Sequence, residues 1–535
     1  MPIGNHKFMS EIINAKLNNI TQEFIADAKL CENKCDWLGA IVFYRSALKI
    51  RPNYFAIHHN LAIALRYAGQ SKNALKSAQF AANLAPDHPT VQFSLGVSLE
   101  KVGQTKDAIV SYKRSTQLMP NYIEALSNLG RMLEVEGQII ESIEILEKAL
   151  ALAPNSAAVL LNLANSSLLS GNPKRAQQLL KKLSRGNPDI SNTFRSLVSN
   201  SLGLTAHVIG DRKLAIGHFR NAIDLAPDFA EAHENLAQVL LFEQKYEEAW
   251  VEYEWRWQNE KNRQSKRVFA GPSWQGESLT NKILLVHAEQ GFGDVIQFVR
   301  FLSLIEAQKG RIILACHTAL IDLFSSLDGV HRVINIDSVT LTYDFHAPLL
   351  SIPRILGVMG INIPNKPYLS TKKVFETKLT KPIKVGITWA GMPRHEFDPH
   401  RNRSCPIEAF KILLKVPDIE LFSLQTGPNT QELTKINVSH KIVDLNPLIH
   451  TFKDTSELIS ELDLVITIDT AVAHLAGAIG KEVWILLATC ADWRWQDDNQ
   501  NNPWYPTARL FRQKKPGNWL DPLNDVASEL RRMIL

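Results

Sequence analysis

The chain has 535 residues, 45% of them apolar, and a formal charge of +5 left by 59 basic and 54 acidic side chains. That apolar share excludes intrinsic disorder, and so slight a charge excludes a strongly basic nucleic-acid binder. The length predicts roughly three or four domains. The five cysteines (Cys31, Cys35, Cys316, Cys405, Cys490) are odd in number and scattered, so they make neither a disulfide framework nor a four-ligand zinc site. Cys31 and Cys35, one helical turn apart, are expected as two buried thiols on one helix face. The opening MPIGNHKFMSEIINAKL lacks the continuous apolar stretch of a signal peptide, and no later segment approaches the ~20 apolar residues of a membrane span. A reducing, cytoplasmic location is expected, without a transmembrane segment.

Residues 1–261 carry an internal repeat. Prolines close a similar phrase at Pro52, Pro86, Pro120, Pro154 and Pro188, each 34 residues after the last, and Pro227 comes after 39. Gly69, Gly103, Gly137, Gly171 and Gly210 keep the same beat. Five residues beyond each stands a small residue (Ala74, Ala108, Ser142, Ala176, Ala215), and Ala40 and Ala249 fit the slot by extrapolation. A unit of this length holds two antiparallel helices: glycine takes the tight turn, the small residue allows close approach, and proline ends the second helix. The pattern resembles tetratricopeptide repeats, about six or seven of them, which stack into a superhelix with a peptide-binding groove.

Asparagine recurs on the first helix of many units: Asn60, Asn128, Asn162 and Asn235, with Ser94 and Ser201 in the equivalent slots elsewhere. Amides at a regular rise can hold an extended backbone by donating and accepting together. They can equally fix repeat-to-repeat packing. The arrangement is similar to the asparagine ladder of the O-GlcNAc transferases, which also join such repeats to a glycosyltransferase. That resemblance implies a protein or peptide partner in the groove.

The repeat beat stops near Trp250, from which point ten of the eleven tryptophans occur. The aromatic run WVEYEWRWQNE is expected to pack the repeats against the C-terminal half of the chain, and a polar, turn-rich linker is placed at 262–278. Beyond it, apolar runs at 283–286, 312–315, 333–336, 385–389, 421–424, 464–468 and 483–487 alternate with helical patterns. Such runs indicate parallel strands covered on both faces, here in two Rossmann-like lobes: a short one at 279–375 and a second at 376–535. Ligands of these folds lie at the carboxyl ends of strands.

Two motifs stand at such ends. In HAEQGFGDVIQFVRFL (287–302), Gly291 and Gly293 form a strand-to-helix turn and Asp294 falls in the first helical turn. The spacing is not that of a nicotinamide cofactor site, and no cofactor is expected. Asp294 can serve as general base or merely complement the helix dipole. In LVITIDTAVAHLAGAIG (464–480) a buried strand ends at Asp469-Thr470, and His474 sits about one turn into a helix. Free N–H groups there suit a diphosphate, with Thr470 donating and His474 neutralising or hydrogen-bonding leaving-group charge. Alternatively Asp469 or Thr470 simply caps the helix and His474 is an ordinary, partly buried histidine.

Together the Gly-Asp turn and Asp-Thr-x-x-x-His-Leu resemble the ADP-heptose:lipopolysaccharide heptosyltransferases, glycosyltransferase family nine, over roughly 280–515. The resemblance implies a GT-B fold and an inverting, metal-independent reaction. Asp294 would be the base, and Thr470, His474 and Asp469 would meet a nucleotide-sugar donor. Arg403, in HRNRSCP, stands where that family has a phosphate-binding lysine. Gly293, Trp389, Asp492 and Arg494 are candidates for a sugar pocket, although Asp492, Arg494 and the tryptophans of 491–506 can equally pack the two lobes together. The expected molecule is thus an all-α tetratricopeptide solenoid followed by an α/β, GT-B-like glycosyltransferase that modifies a protein or glycan acceptor recruited by the repeats. The alternative is an interaction scaffold whose transferase-like domain only binds nucleotide. Ala471, where the family has glycine, and the short first lobe favour the latter.

Overall fold

The computed structural model describes residues 3–186, 191–259, 267–306, 310–371, 382–391, 403–436, 439–497 and 502–534. The chain divides into two compact units, Met1–Asp189 and Ile190–Leu535.

The first unit is a stack of helix pairs: α1 (Ile3–Asn33) with α2 (Trp37–Ile50), α3 (Phe55–Tyr67) with α4 (Ser71–Leu84), α5 (Pro89–Lys101) with α6 (Thr105–Leu118), α7 (Ile123–Val135) with α8 (Ile139–Leu152), and α9 (Ala157–Leu169) with α10 (Pro173–Gly186). Gly69, Gly103, Gly137 and Gly171 turn each pair in the left-handed region, at φ 74°, 79°, 83° and 81°. A Cβ at Gly69 or Gly103 would meet nothing within 4 Å, so these glycines supply backbone freedom, not space. Cys35 occupies the same slot one period earlier, with φ 57°. The expected pair of buried helical thiols is therefore corrected: the helix ends at Asn33 and Cys35 is exposed in the turn. The small-residue slot is fully buried at Ala40, Ala74, Ala108, Ser142 and Ala176.

The second unit begins with two more pairs, α11 (Asn192–Ile209) with α12 (Arg212–Leu225) and α13 (Ala230–Phe242) with α14 (Tyr246–Tyr253), which ends in a 3-10 turn, Glu254–Trp257. A four-stranded sheet comes next: β1 (Ile283–His287), β2 (Arg311–Cys316), β3 (Arg332–Asn335) and β4 (Phe345–Pro348) in the order β3-β2-β1-β4. Helix α15 (Phe292–Phe298) leaves β1, and α16 (Thr318–Phe324) leaves β2. The second sheet has six strands, β5 (Ile383–Thr388), β6 (Ile419–Ser423), β7 (Ile442–Asp444), β8 (Leu464–Ile468), β9 (Val483–Leu487) and β10 (Ala508–Arg512), in the order β10-β9-β8-β5-β6-β7. Its helices include α17 (Phe452–Ser460), α18 (Ala471–Ala478) after β8, and the closing α19 (Leu520–Ile534). Neighbouring strands run parallel throughout both sheets.

One apolar core joins Phe219, Leu240 and Trp250 of the last repeats to Val286 and Phe298 of the first sheet and to Leu475 and Trp504 of the second. The Trp250 indole donates to Val358 O at 3.0 Å, and its ring meets Phe298 and Trp493 edge-on at 6.1 and 6.0 Å. The aromatic run is thus packing. This shared core puts the break between compact units at 189/190, whereas the repeat beat alone suggests 262–278. No helix among the described residues is long and apolar enough to cross a membrane.

Candidate functional site

Strand β1 delivers His287, Ala288 and Glu289 to its carboxyl end, and Gln290 turns the chain with φ 60°, a left-handed conformation unusual for a residue with a side chain. Gly291 is the N-cap of α15. The Asp294 carboxylate reaches back to it, Oδ2 accepting from Gly291 N at 3.1 Å. Its other oxygen accepts from Arg494 Nη2 at 2.6 Å. Arg494 also binds both oxygens of Asp492 through Nη1, at 2.9 and 3.0 Å, and donates to Gln297 Oε1 through Nε. Burial opposes the guanidinium charge, but Asp492 and Asp294 more than offset it and hold its pKa above the ordinary value.

Across from α15 lies the start of α18. The two approach so closely that a Cβ on Gly293 would lie 2.9 Å from His474 Cδ2 and 3.6 Å from Ala471 Cα. Thr470 is the N-cap of α18, yet its side chain accepts no hydrogen bond from the first turn; its hydroxyl meets Thr467 Oγ1 at 3.1 Å. Arg403 Nε donates to Asp469 O and stands 3.7 Å from Asp469 Oδ2. Gly391 lies beside both, its would-be Cβ 3.5 Å from Thr470 Cγ2 and 3.9 Å from Arg403 Nε. Asp294, Gly293, Asp469, Thr470, His474, Arg403, Asp492 and Arg494 therefore form one neighbourhood drawn from the carboxyl ends of both sheets.

Three expected roles need correction. His474 is 5% exposed, with Nδ1 3.0 Å from Tyr505 OH and its ring stacked on Trp495 at 5.1 Å. Burial first, then Arg494, Arg300 and Arg403, drive its pKa well below the ordinary value. Burial disfavours its charged form, so hydrogen bonding to a phosphate fits this site better than neutralising one. Trp389 is fully buried in the core of the second sheet, its indole donating to Glu432 Oε2 at 2.9 Å, so it cannot stack on a sugar. Asp492 and Arg494 bind each other and Arg494 also binds Asp294, so these groups are engaged by the protein itself.

The asparagines hold their register and spend donors within the solenoid. Asn162 Nδ2 donates to Ser127 Oγ at 3.0 Å, Asn235 Nδ2 to Asn200 Oδ1 at 2.9 Å, and Asn128 Nδ2 to Tyr112 OH at 3.3 Å. Asn60 hydrogen-bonds Tyr44. All four are half-buried. The packing role is thus present in each.

Sequence reasoning missed a buried network behind His474. Arg300 is 1% exposed and donates to Trp504 O (2.6 Å), Pro364 O (3.1 Å), Gln297 O (2.8 Å) and Tyr368 OH (3.2 Å). It also missed a cavity of about 660 Å³ at the carboxyl end of the first sheet, lined by His287, Glu289, His346 and Arg256 among others. The polar His287 and Glu289 directly after a buried apolar strand were the available signal.

Two family models described as tetratricopeptide repeat match residues 133–200 and 202–260. The repeats of this chain are tetratricopeptide repeats. Among individual proteins, FlbA of Caulobacter vibrioides is 25% identical over 424 residues, 66% of this chain and 70% of that protein. Similar solved structures include a tetratricopeptide repeat protein of Parabacteroides merdae, at 17% identity and TM-score 0.39 over 44% of this chain and 91% of that one. PilF of Pseudomonas aeruginosa is similar at 20% identity and TM-score 0.35, over 41% and 97%.

Proposed function

We propose that this chain is an interaction scaffold: its tetratricopeptide repeats recruit a polypeptide, and its two-sheet unit binds a nucleotide without transferring a sugar. The engagement of Asp294 carries this reading. One oxygen is held by Arg494 and the other by the Gly291 N–H, so the residue best placed as base is occupied by the protein itself. Thr470, Arg403 and His474 beside the first turn of α18 supply hydrogen-bond donors suited to a diphosphate.

An inverting, metal-independent glycosyltransferase is the second reading. The close approach of α15 and α18 at Gly293 and His474 favours it, because it brings a carboxylate from one sheet near phosphate donors from the other. A donor sugar would then lose its nucleoside diphosphate as an acceptor hydroxyl attacks the anomeric carbon and Asp294 takes the proton.

A panel of nucleoside diphosphates and nucleotide sugars, read by thermal unfolding and then by product mass spectrometry, separates the readings. Both expect stabilisation, about 2.7 kcal/mol at a hundredfold excess over Kd. Only the transferase consumes its donor into a glycosylated product. If no nucleotide raises the melting temperature, both readings of the two-sheet unit fail.

A further inference from the structure

A smaller cavity, of about 80 Å³, lies where the last two helix pairs meet the segment that follows β9. Leu204 and Val208 of α11 and Val239 and Phe242 of α13 give it apolar walls, and Ala491 and Trp493 close it from the other side. That segment is fastened to the repeats. Trp493 packs edge-on against Trp250 at 6.0 Å, Gln244 Nε2 donates to Gln496 Oε1 at 2.9 Å, and Arg212 Nη2 donates to Asp497 Oδ1 at 2.9 Å. Leu204, Val208, Gln238 and Ala491 are only half-buried, so the cavity has a mouth open to solvent.

The volume is well under the ~150 Å³ of an apolar cavity that takes up benzene, so it suits one branched aliphatic side chain and not an aromatic ring. The lining favours no charge either. Asp492 is bound through both oxygens by Arg494, and burial lowers the pKa of His207, another lining residue, to about 4, which disfavours its cation. Two amides complete the wall, Asn235 and Gln238, three residues apart and so on one face of α13. Asn235 Nδ2 donates to Asn200 Oδ1 at 2.9 Å, while its own Oδ1 accepts nothing among the described residues. Gln238, half-buried at the mouth, makes no hydrogen bond among the described residues. A polypeptide backbone offers the N–H and C=O that these amides lack, on either side of the side chain it presents.

We propose that this cavity is a specificity pocket for one branched aliphatic side chain (leucine, isoleucine or valine) of the recruited polypeptide, with Asn235 and Gln238 holding the backbone beside it. The inference rests on the reading of the repeats as a polypeptide-recruiting surface and adds which side chain is selected, and where. The repeats alone do not form the pocket, because Ala491 and Trp493 supply one wall. A charged side chain would be left there without a partner, and burying an unpaired charge is costly.

The test uses the full chain and saturation-transfer-difference NMR with the capped peptide Ac-Gly-Ser-Leu-Ser-Gly-amide and its counterparts with alanine, phenylalanine or glutamate at the centre. The leucine peptide should bind at least fivefold more tightly than each of the others. Val208→Trp, which fills the cavity from its half-buried rim, should bring the leucine and alanine peptides within twofold of each other. Gln238→Ala should weaken both at least threefold and leave their ratio unchanged. If Val208→Trp fails to fold, Ala491→Leu fills the same space from the opposite wall and decides instead. The pocket is overturned, and recruitment by the repeats is not, if the peptides bind without preference for leucine, if the preference survives in the filled variant, or if Gln238→Ala binds like the unaltered chain. If none of these peptides binds, the pocket is overturned as well. A random dodecapeptide library panned on the same chain then tells a wrong pocket, which still yields binders, from repeats that recruit no polypeptide, which yield none.

Discussion

Arg256, on the turn that ends the last repeat, grips Glu289 at the end of β1 through two hydrogen bonds, Nη2 to Oε1 at 2.8 Å and Nε to Oε2 at 3.2 Å. The side chains are 2% and 10% exposed, and Arg256 also donates to Glu254 and to Ser351. A repeat residue thus fixes the strand end that leads into Gly291 and Asp294. Tyr253 OH adds a second tie, donating to Gln290 Oε1 at 3.1 Å.

Removing the cation alone leaves Glu289 buried without its partner. Arg256→Met should therefore destabilise the 190–535 unit by about 3–5 kcal/mol, and adding Glu289→Gln should recover a large part of that loss. Urea unfolding of the single and double variants checks this. A single variant within about 1 kcal/mol of the unaltered chain would show that the pair does not brace the junction.

Four histidines in the second unit, His207, His218, His287 and His474, have lowered pKa values and set an acid limit. Burial is the first cause in each: His207 is lowered to about 4, His287 to about 3, and His474 well below the ordinary 6.5. Below pH 6.5 the unfolded chain takes up protons that the folded chain refuses. Stability is then full above about pH 6.5 and falls as pH drops toward 4, by up to about 1.4 kcal/mol per pH unit for each histidine. Melting temperatures at pH 7.5, 6, 5 and 4 should decline progressively below 6.5, and a flat profile from 7.5 to 5 would contradict the assignment.

The two kinds of element differ in how plainly the sequence announces them. The helix pairs are legible from Gly69, Gly103, Gly137 and Gly171 and from the buried small-residue slot, because backbone sign and close packing leave few residues to choose from. Cys35 and Gln244 escape that pattern, adopting the same left-handed turn at φ 57° without being glycine. Central strands such as β8 and β9, buried at every position, read as continuous apolar runs. The strands missed are β4, β7 and β10, all sheet edges, where FHAP, IVD and ARLFR mix polar residues into a short strand. In the candidate site, Asp294, Thr470 and His474 are legible because they sit at strand ends. Arg494 as the partner of Asp294 is not, since 200 residues separate them in the chain.

The asparagine ladder divides into two measurable roles. Replacing Asn60, Asn128, Asn162 and Asn235 with alanine removes donors to neighbouring helices, each worth about 0.5–1.5 kcal/mol. Urea unfolding should register that loss. A groove that also grips a peptide backbone would lose affinity for a partner beyond what reduced stability explains, even at temperatures where the variant is fully folded. Partner binding equal to the unaltered chain under those conditions would confine the asparagines to packing.

Gly293 tests whether the junction of the two sheets is tight by necessity. An added methyl would lie 2.9 Å from His474 Cδ2, and the histidine cannot swing away freely, because Tyr505 holds Nδ1 and Trp495 covers the ring. Ala471 Cα, at 3.6 Å, is backbone in ordinary contact. Gly293→Ala must therefore push α15 from α18 or displace His474 from Tyr505, at a cost of about 1–3 kcal/mol. The displacement falls at the donors proposed for a diphosphate, so nucleotide-dependent stabilisation should shrink more than overall stability does. A control at Gly217, where a Cβ meets nothing within 4 Å, should leave ligand binding unchanged. If Gly293→Ala melts at the same temperature as the unaltered chain and gains the same nucleotide shift, the close approach of the helices is not what shapes this site.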